Sequence, residues 1–595
     1  MDKFISLIHS LIIFLRSKLS RMQLVMLIAT VVGLLSGFAA VLLKIIVHNL
    51  QYWIENFPVS QFGYLLFPML GLLLTVFIVR HFFGSHIEKG VAMVLKSIAG
   101  KSSYISGSHT YKHLITSSIT VGLGGSLGLE APIVATGSAV GSNIARITDL
   151  NYQERTLLIA CGASAGIAAV FNAPIAGVIF AIEVLLAETV VSYFIPLIIS
   201  SVAGALCSKI LLGEQSLFNF ILQQQFDYGN VPFYILLGIV AGIISIYYAK
   251  AFKKSEHVFA SIKIGSYSKV FIGGLLLMFI YFLFPPLFGE GYSSVKLVAN
   301  DALNSYADNT TLFSKMNGEW GIILFTLLVL LFKPIAAGIT MGAGGNGGNF
   351  APSLFVGSYL GYFFAKFFNN TDLVKIPIGN FSLVGMAGVL SGVMYCPLTA
   401  IFLIAEITNG YELFIPLMIV SSISFFIVRS YEPYSMEIKK LAIEGKIFTQ
   451  KKEKNILSSI SLSEIIQHTY VSIGIDKSLK DLLEVIKQSE KNIFAVHDSK
   501  NRFVGIIELN DIKQKMFQPD LYAKVSIKSM MKKAPATLRN NQDMHSVMEI
   551  FDTTQSWYLP VLDDQKKFIG FISKSKLFEK YREILSNHSD LYDAK

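Results

Sequence analysis

A glycine-rich apolar segment occurs twice in this chain, and this repetition constrains the fold more than any other feature. The segment GGSLGLEAPIVATGSAVG, residues 124–141, aligns with GGNFAPSLFVGSYLG, residues 347–361. The alignment pairs Gly128 with Gly348 and Pro132 with Pro352 at one common offset. A second pair of segments, FNAPIAGVIFAIE and MYCPLTAIFLIAE, repeats at almost the same offset. Two matches at nearly one period indicate an internal duplication of a hydrophobic unit about 200 residues long.

Long apolar runs fill the part of the chain that carries this duplication. Several runs reach the roughly 20 residues that a helix needs to cross a bilayer, and others are shorter. The chain is 53% hydrophobic and 15% charged, which predicts an α-helical polytopic membrane protein with broken, tilted helices. The main runs are 24–48, 64–79, 192–212, 233–249, 268–283, 320–332 and 412–428.

Glu130 lies in the middle of the first glycine-rich segment, at the position where the second segment has Phe350. An acid at membrane depth costs roughly 2.5–3.5 kcal/mol on insertion scales, so a functional role is favoured over simple helix packing. Each glycine-rich break, at 128–132 and 348–352, precedes a predicted helix start. A helix start presents free backbone amides and the positive end of the helix dipole. Two such starts that converge between duplicated halves predict an anion site.

The net charge of +10 does not indicate nucleic-acid binding, because lysine and arginine concentrate in the tails and loops. This distribution follows the positive-inside rule, and it predicts a multi-pass cell-membrane protein with both terminal regions in the cytoplasm. The segment 1–21 is predicted to form an amphipathic interfacial helix rather than a cleaved signal. The three cysteines lie in apolar segments and have neither metal-ligand spacing nor a disulfide pattern: Cys161, Cys207 and Cys396.

The composition changes after residue 432, where a basic and polar segment is predicted to be a linker. A second repeat follows, in which Val496 pairs with Val561 and Gly505 with Gly570 at one shared offset. Each copy predicts two strands and a helix, with a preceding helix at about 478–489 or 543–552. The predicted organisation is a helix 1–21, a transmembrane domain 22–432 (repeats at about 22–212 and 233–430), a linker 433–455, small α/β domains 456–520 and 521–585, and a tail 586–595.

The membrane part resembles the CLC family of chloride channels and chloride/proton antiporters, and the C-terminal part resembles a pair of CBS domains. GLEAP, residues 128–132, and GNFAP, residues 348–352, are similar to two signature motifs of that family. The resemblance implies inverted-topology repeats, a homodimer in the lipid bilayer and one chloride pathway per subunit. It also implies an external gate at Glu130 and a pathway lined by Gly128, Leu129, Gly348, Asn349, Phe350, Ala351 and Tyr434.

Two regions depart from the family pattern near the expected anion. The family serine has two candidates: Ser85 matches by residue type, whereas Lys89 matches better by its distance from Glu130. A lysine there would place an ammonium group beside the anion. The pore-lining tyrosine also has two candidates, because Tyr434 is close to the expected position but matching SMEIKKL to the family pattern selects Glu437.

Val184 stands where the antiporters carry an internal proton acceptor, so the resemblance predicts chloride transport with weak or absent proton coupling. The neighbouring Glu188 is a candidate substitute acid. One alternative is a proton-coupled chloride antiporter that uses a different internal relay, and another is a CBS-regulated cation channel. No enzymatic chemistry and no metal or organic cofactor is expected.

Three further ionisable residues lie within apolar segments. Glu183 and Glu406 occupy matching positions in the repeat, and we expect them to bind helix-end amides. Lys333 precedes the second glycine-rich segment. It either raises the local anion potential or extends its ammonium group to the membrane surface.

CBS pairs often bind adenine nucleotides through a hydroxyl group and an acid near the second strand. The first copy has Asp511 but carries Glu508 at the hydroxyl position, and the second has Ser573 but carries Lys576 at the acid position. Because neither set is complete, the pair is expected to be a dimer scaffold rather than a nucleotide sensor.

Overall fold

The helices and strands fall into two units, Met1–Ile447 and Phe448–Lys595, and the division lies within the predicted linker 433–455. The structure is a computed structural model. It describes residues 16–56, 63–84, 90–99, 103–186, 194–213, 226–303, 318–371, 374–408, 410–439, 460–540, 542–563 and 565–586, together with Phe14, Glu88 and Ala442.

The first unit is helical. Its first half contains α1 (Arg21–Glu55), α2 (Phe67–Phe82), α3 (Gly90–Ala99), α4 (His109–Gly122), α5 (Glu130–Ile147), α6 (Tyr152–Phe171), α7 (Pro174–Phe180) with a π turn (Ala181–Leu185), and α8 (Phe194–Leu212). Its second half contains α9 (Val231–Ser261), α10 (Ser266–Leu283), α11 (Tyr292–Ala299), α12 (Glu319–Gly342), α13 (Phe350–Asn370), α14 (Ile378–Met394), α15 (Pro397–Ile407) and α16 (Phe414–Tyr431).

The packing repeats between the halves. Helix α5 packs on α6 as α13 packs on α14, and α1 packs on α8 as α9 packs on α16. The short helices α7 and α15, one from each half, pack against each other. The predicted duplication of the membrane part is therefore confirmed in three dimensions.

Equivalent helices also end and begin in the same way. Asn172 and Tyr395 end α6 and α14 in the left-handed conformation, with φ of 55° and 61°. Pro174 and Pro397 then open α7 and α15, where the missing amide hydrogen costs nothing. The same turn, at equivalent positions of the repeat, separates a longer helix from a short one in each half.

Eight of the described helices are long and apolar enough to cross a membrane. Their exposed faces carry large apolar side chains such as Leu34, Phe38, Ile243, Phe271 and Phe426. Lipid is the solvent that such faces require, because water would not accommodate so many exposed leucine and phenylalanine side chains. The chain is a multi-pass membrane protein, as the sequence predicts.

The second unit contains two small α/β domains of matching design. The first has α17 (Leu462–Ile465), β1 (Ser472–Gly474), α18 (Leu479–Gln488), β2 (Ile493–His497), β3 (Phe503–Glu508) and α19 (Leu509–Ile512). The second has α20 (Ile527–Met530), β4 (Leu538–Arg539), α21 (Met544–Thr554), β5 (Tyr558–Leu562), β6 (Phe568–Ser573) and α22 (Lys574–Ser586).

The two three-stranded sheets share one register. In each sheet the first two strands are parallel and the last two antiparallel. Val496 pairs with Gly505 in one sheet and Val561 with Gly570 in the other, and an irregularity follows both valines. These are the residues that the second sequence repeat aligns.

Candidate functional site: the junction of the two glycine-rich motifs

The two glycine-rich motifs meet directly in the interior of the first unit. Gly128 and Gly348 form an isolated antiparallel bridge, in which each amide donates to the carbonyl oxygen of the other at 2.9 and 2.8 Å. An antiparallel bridge between equivalent residues means that the two motifs run in opposite directions, as inverted repeats require. Helices α5 and α13 begin two residues after the bridge, so their N-terminal ends converge.

The glycines permit this approach. A Cβ atom on Gly128 would lie 2.7 Å from the Cβ atom of Ala351, and one on Gly348 would lie 2.7 Å from the Cβ atom of Ala131. Both distances are below van der Waals contact. The absence of a side chain at Gly128 and Gly348 thus allows the two helix starts to approach each other.

Glu130 is the first residue of α5, and its side chain is 1% exposed. Its Oε2 accepts a hydrogen bond from the amide of Ala351 at 3.4 Å, and its Oε1 accepts one from the hydroxyl group of Tyr292. The carboxylate therefore occupies the start of α13, which is the place where the sequence predicts an anion. The group competes for the same donors that an anion would use.

A small cavity lies beside Glu130, with room for about one water molecule. Most of its walls are apolar, and three polar residues interrupt them. The lining residues are Val91, Glu130, Ala131, Val134, Ile167, Phe180, Asn349, Phe350, Met394 and Glu437. Of the residues that the sequence assigns to the pathway, Glu130, Asn349 and Phe350 reach this cavity.

The structure places Glu437, rather than Tyr434, at the cavity. The Oε1 of Glu437 accepts a hydrogen bond from Nδ2 of Asn349 at 3.0 Å. Tyr434 is 37% exposed and is not among the lining residues. The turn after α16 directs the side chain of Glu437, three residues after Tyr434, toward the interior. The alternative residue Glu437 thus reaches the cavity, and the assignment of either residue to an anion pathway stays a prediction.

Other predicted anion ligands have different surroundings. The amides of Gly128 and Gly348 bind each other's carbonyl oxygens, so each uses its single donor within the bridge rather than on an anion. Leu129 is buried, and the Ala351 amide faces the Glu130 carboxylate. Ser85, Lys89 and the substitute acid Glu188 lie outside the described residues, so both assignments of the family serine stay predictions.

Lys333 is completely buried in α12, so its ammonium group does not extend to the membrane surface. Its Nζ donates to the carbonyl oxygens of Gly289 and Glu290 at 2.9 and 3.3 Å and lies 4.7 Å from the ring centre of Phe355. Lys44 of α1 donates to the carbonyl oxygen of Val170.

The charges of Lys44, Lys333 and Glu290 interact, and Glu290 also interacts with Glu130. Two amine groups and one carboxyl group thus lie in the same buried region as the Glu130 carboxylate.

Sequence reasoning did not identify Tyr292, Glu290 or Lys44 as neighbours of the site. The segment FGEGY, residues 288–292, carries an acid between two glycines in an otherwise apolar region, which is the same kind of signal that identified Glu130. Gly289 and Gly291 both have positive φ, 63° and 86°, and this sharp turn directs the start of α11 toward Glu130.

Glu183 and Glu406 cap helices in a reciprocal arrangement. The Glu406 carboxylate accepts from the amides of Ile175 and Ala176 at the start of α7, at 3.0 and 2.8 Å. The Glu183 carboxylate accepts from the amides of Leu398 and Thr399 at the start of α15, at 3.1 and 2.8 Å. Each acid thus stabilises the short helix of the other half, in the role that its repeat position predicts.

Val184 follows Glu183 in the π turn and packs against the apolar core. An aliphatic side chain cannot bind a proton. Position 184 is therefore excluded as a proton acceptor by its chemistry.

The predicted nucleotide residues of the second unit are engaged in local contacts. Asp511 forms an ion pair with Lys532 at 2.5 Å, and this hydrogen bond raises the pKa of Lys532 above its usual value. The hydroxyl oxygen of Ser573 accepts from the amide of Lys576 at the start of α22. Both side chains thus make contacts within their own domain, and the expectation that the pair does not sense nucleotides stays a prediction.

Comparison with known proteins gives matches over both units. The family model described as "Voltage gated chloride channel" matches residues 71–429. The CBS domain model matches residues 462–517 and 527–583. The first match covers more than half of the chain.

Curated relatives have names of the same kind. Chloride channel protein CLC-f of Arabidopsis thaliana is 26% identical, over 69% of this chain and 58% of that protein. CLC-e of the same plant is 26% identical over 82% of this chain and 75% of that protein. The H(+)/Cl(-) exchange transporter ClcA of Vibrio cholerae is 28% identical over 51% and 62%. The chain thus spans a little over half the length of the first of these relatives.

Solved structures of similar fold include a slow cyanobacterial Cl−/H+ antiporter and a eukaryotic CLC transporter. The former has a TM-score of 0.60 at 21% identity and covers 72% of this chain and 99% of its own. The latter has a TM-score of 0.61 at 15% identity and covers 94% and 99%. At these identities, the likeness concerns the fold.

Proposed function

The chain belongs to the CLC family of voltage-gated chloride channels and chloride/proton exchangers, and from this premise we propose that it carries chloride across the membrane through a pathway gated by Glu130. Members of this family are channels or transporters rather than enzymes. The central observation is the position of the Glu130 carboxylate. It lies on the amide of Ala351, at the helix start where an anion is expected.

The gate works by competition. In the closed state, the carboxylate accepts from Tyr292 and from the Ala351 amide. Protonation removes its negative charge and weakens both hydrogen bonds, because a charged acceptor binds donors more strongly than a neutral one. The neutral side chain then leaves the helix start, and an anion takes its place.

The surroundings favour an anion over a cation. The N-terminal ends of α5 and α13 converge on the site, and Lys44 and Lys333 lie in the same interior region. Helix N-termini stabilise negative charge, whereas a cation site requires several oxygen ligands around one point. These features support anion transport and disfavour the cation-channel alternative.

Proton coupling through position 184 is absent because valine cannot titrate. A channel without coupled protons is the simplest consequence of Val184. Exchange of chloride for protons requires an acid at another position on the pathway, and that alternative has a structural candidate in Glu437.

The second unit acts as a cytoplasmic scaffold for a homodimer. Its two CBS domains pack on each other through the bridges between Gln467 and Phe571 and between Ile506 and Lys532. The ion pair of Asp511 with Lys532 and the capping role of Ser573 support a scaffold role over nucleotide sensing.

Chloride efflux from liposomes tests the proposed function. Purified full-length protein is reconstituted in chloride-loaded vesicles with valinomycin, which lets potassium leave with the anion. A chloride electrode should record release well above that of protein-free vesicles, and glutamate as the internal anion should not leave. Release no faster than from protein-free vesicles would refute anion transport.

A further inference from the structure

Glu437 shares its cavity with the gate. It lies in the turn after α16, and its side chain is half-buried, whereas that of Glu130 is fully buried. Both side chains line the same cavity. Glu437 is thus partly exposed, whereas Glu130 is not. The small cavity that both side chains line has mostly apolar walls.

The two carboxylates are bound at a single helix start. Asn349, the N-cap residue of α13, donates from Nδ2 to Glu437 at 3.0 Å. The amide of Ala351, two residues later, donates to Glu130 at 3.4 Å. Residues two positions apart therefore hold the two acids on neighbouring sides of one helix end.

The other described residues that line the cavity have no titratable side chain. Among the described residues that line it, Glu130 and Glu437 are the titratable side chains, and the others are aliphatic, aromatic or the Asn349 amide. A proton that reaches Glu130 from this side therefore meets Glu437 first.

Among the described residues, charged and titratable groups approach Glu437 from two helices, α9 and α5. Helix α9 contributes Lys253, whose charge interacts with Glu437, and Tyr248, whose hydroxyl group donates to Oδ1 of Asn349 at 3.3 Å. Lys253 also pairs with Glu256 at 2.9 Å and is partly exposed. Helix α5 contributes Glu130 across the cavity, and α3 approaches with Gly90. Lys253 thus places a positive charge near the Glu437 carboxylate.

We propose that Glu437 is the internal proton acceptor of this transporter and replaces the titratable group that Val184 lacks. The inference rests on the proposed chloride transport and makes it an exchange. A proton from the solution on the side where α16 ends binds the Glu437 carboxylate. The O–H bond then breaks, and the proton passes through the cavity to the Glu130 carboxylate, while Glu437 returns to its ionised form.

The transfer couples protons to anions. Neutral Glu130 leaves the donors of α13 and Tyr292, which admits an anion, and it later releases its proton on the opposite side. Protons and chloride therefore move in opposite directions, and no oxidation or reduction takes place.

The test measures chloride and proton fluxes on the same vesicles. A chloride gradient is imposed across liposomes containing full-length protein, and a chloride electrode and a pH electrode record both ions. We compare wild type with Glu437→Gln, which keeps the size and the hydrogen bond acceptor but cannot titrate. Glu432→Gln is the matched control, because Glu432 lies five residues away and pairs with Lys439 outside the cavity.

Wild type should drive protons against their gradient, and E437Q should lower the ratio of proton to chloride flux at least tenfold while E432Q keeps the wild-type ratio. E437D restores a titratable group and should recover proton flux. The comparison of E437D with wild type still tests the inference if E437Q folds poorly. Chloride flux without proton flux in wild type would overturn the inference and leave the proposed function standing. A wild-type ratio in E437Q would also overturn it. Absence of chloride flux in wild type would instead refute the proposed function itself.

Discussion

Tyr292 sets the stability of the closed gate, and replacing it with phenylalanine should make chloride flux faster. The hydroxyl group of Tyr292 donates to Oε1 of Glu130 in the closed position. Phenylalanine keeps the buried ring of α11 and removes the donor alone. The substitution therefore weakens the closed state without opening a large void in the packing.

The magnitude follows from the two donors that hold the carboxylate. A hydrogen bond to a charged group contributes about 1.5–3 kcal/mol. The amide of Ala351 is the second donor, and at 3.4 Å it is the longer contact. Losing Tyr292 as a donor should therefore shift the equilibrium toward the open gate by about 10-fold to 150-fold, since about 1.4 kcal/mol corresponds to a factor of ten. Where gate opening limits turnover, flux rises by up to this factor.

Chloride efflux from liposomes at matched protein density measures this effect. Tyr395→Phe is a suitable control, because the Tyr395 hydroxyl group donates to the carbonyl oxygen of Glu432 at 2.7 Å, away from the cavity. We expect Y292F to be at least several times faster than wild type and Y395F to match wild type. Equal flux in Y292F and wild type, with both proteins monodisperse, would refute the role assigned to Tyr292.

Three other predictions concern a helix cap, the family serine position and nucleotide binding. Glu406→Ala should lower the free energy of unfolding in mixed detergent micelles by about 3 kcal/mol, because two amides of α7 lose a charged acceptor. Glu412 is exposed, so Glu412→Ala should change this free energy by less than about 0.5 kcal/mol. Equal losses in the two variants would contradict the capping role. Lys89→Met should weaken chloride binding more than Ser85→Ala when both affinities are measured by calorimetry, and the reverse order would assign the serine position to Ser85. Millimolar ATP should give no heat of binding with the full-length protein, and clear micromolar binding would show that the CBS pair is a sensor.

The duplication and the meeting of the two motifs could be predicted because they depend on residue identity. A Cβ atom on Gly128 would lie 2.7 Å from the Cβ atom of Ala351 in the other motif, so the close approach of the two helix starts requires glycine. Glycine and proline at fixed offsets are visible in the sequence, and so is an acid within an apolar segment. The same reasoning identified the capping positions of Glu183 and Glu406, because paired acids at the ends of repeated apolar runs suit helix-end amides.

The partners of Glu130 could not be predicted, because they depend on tertiary packing between distant segments. Tyr292 lies 162 residues after Glu130 and opens α11, directly after the turn that contains Gly289 and Gly291. Lys333 was visible as a charge in an apolar helix, but its carbonyl partners at Gly289 and Glu290 come from that same turn. The choice between Tyr434 and Glu437 depended on a single turn after α16, where a shift of three residues decides which side chain faces the cavity.

The most direct test of the gate is the pH dependence of chloride efflux in wild type and Glu130→Gln. Glutamine resembles the protonated acid in size and cannot ionise, so it cannot compete with an anion as a charged group. Glu437 remains titratable in this variant, but in our account it delivers protons to residue 130 rather than opening the pathway. We predict that E130Q carries chloride at a rate that does not change with pH and moves no protons, whereas wild-type efflux increases as the pH falls. Wild-type pH dependence in E130Q would contradict the assignment of Glu130 as the gate.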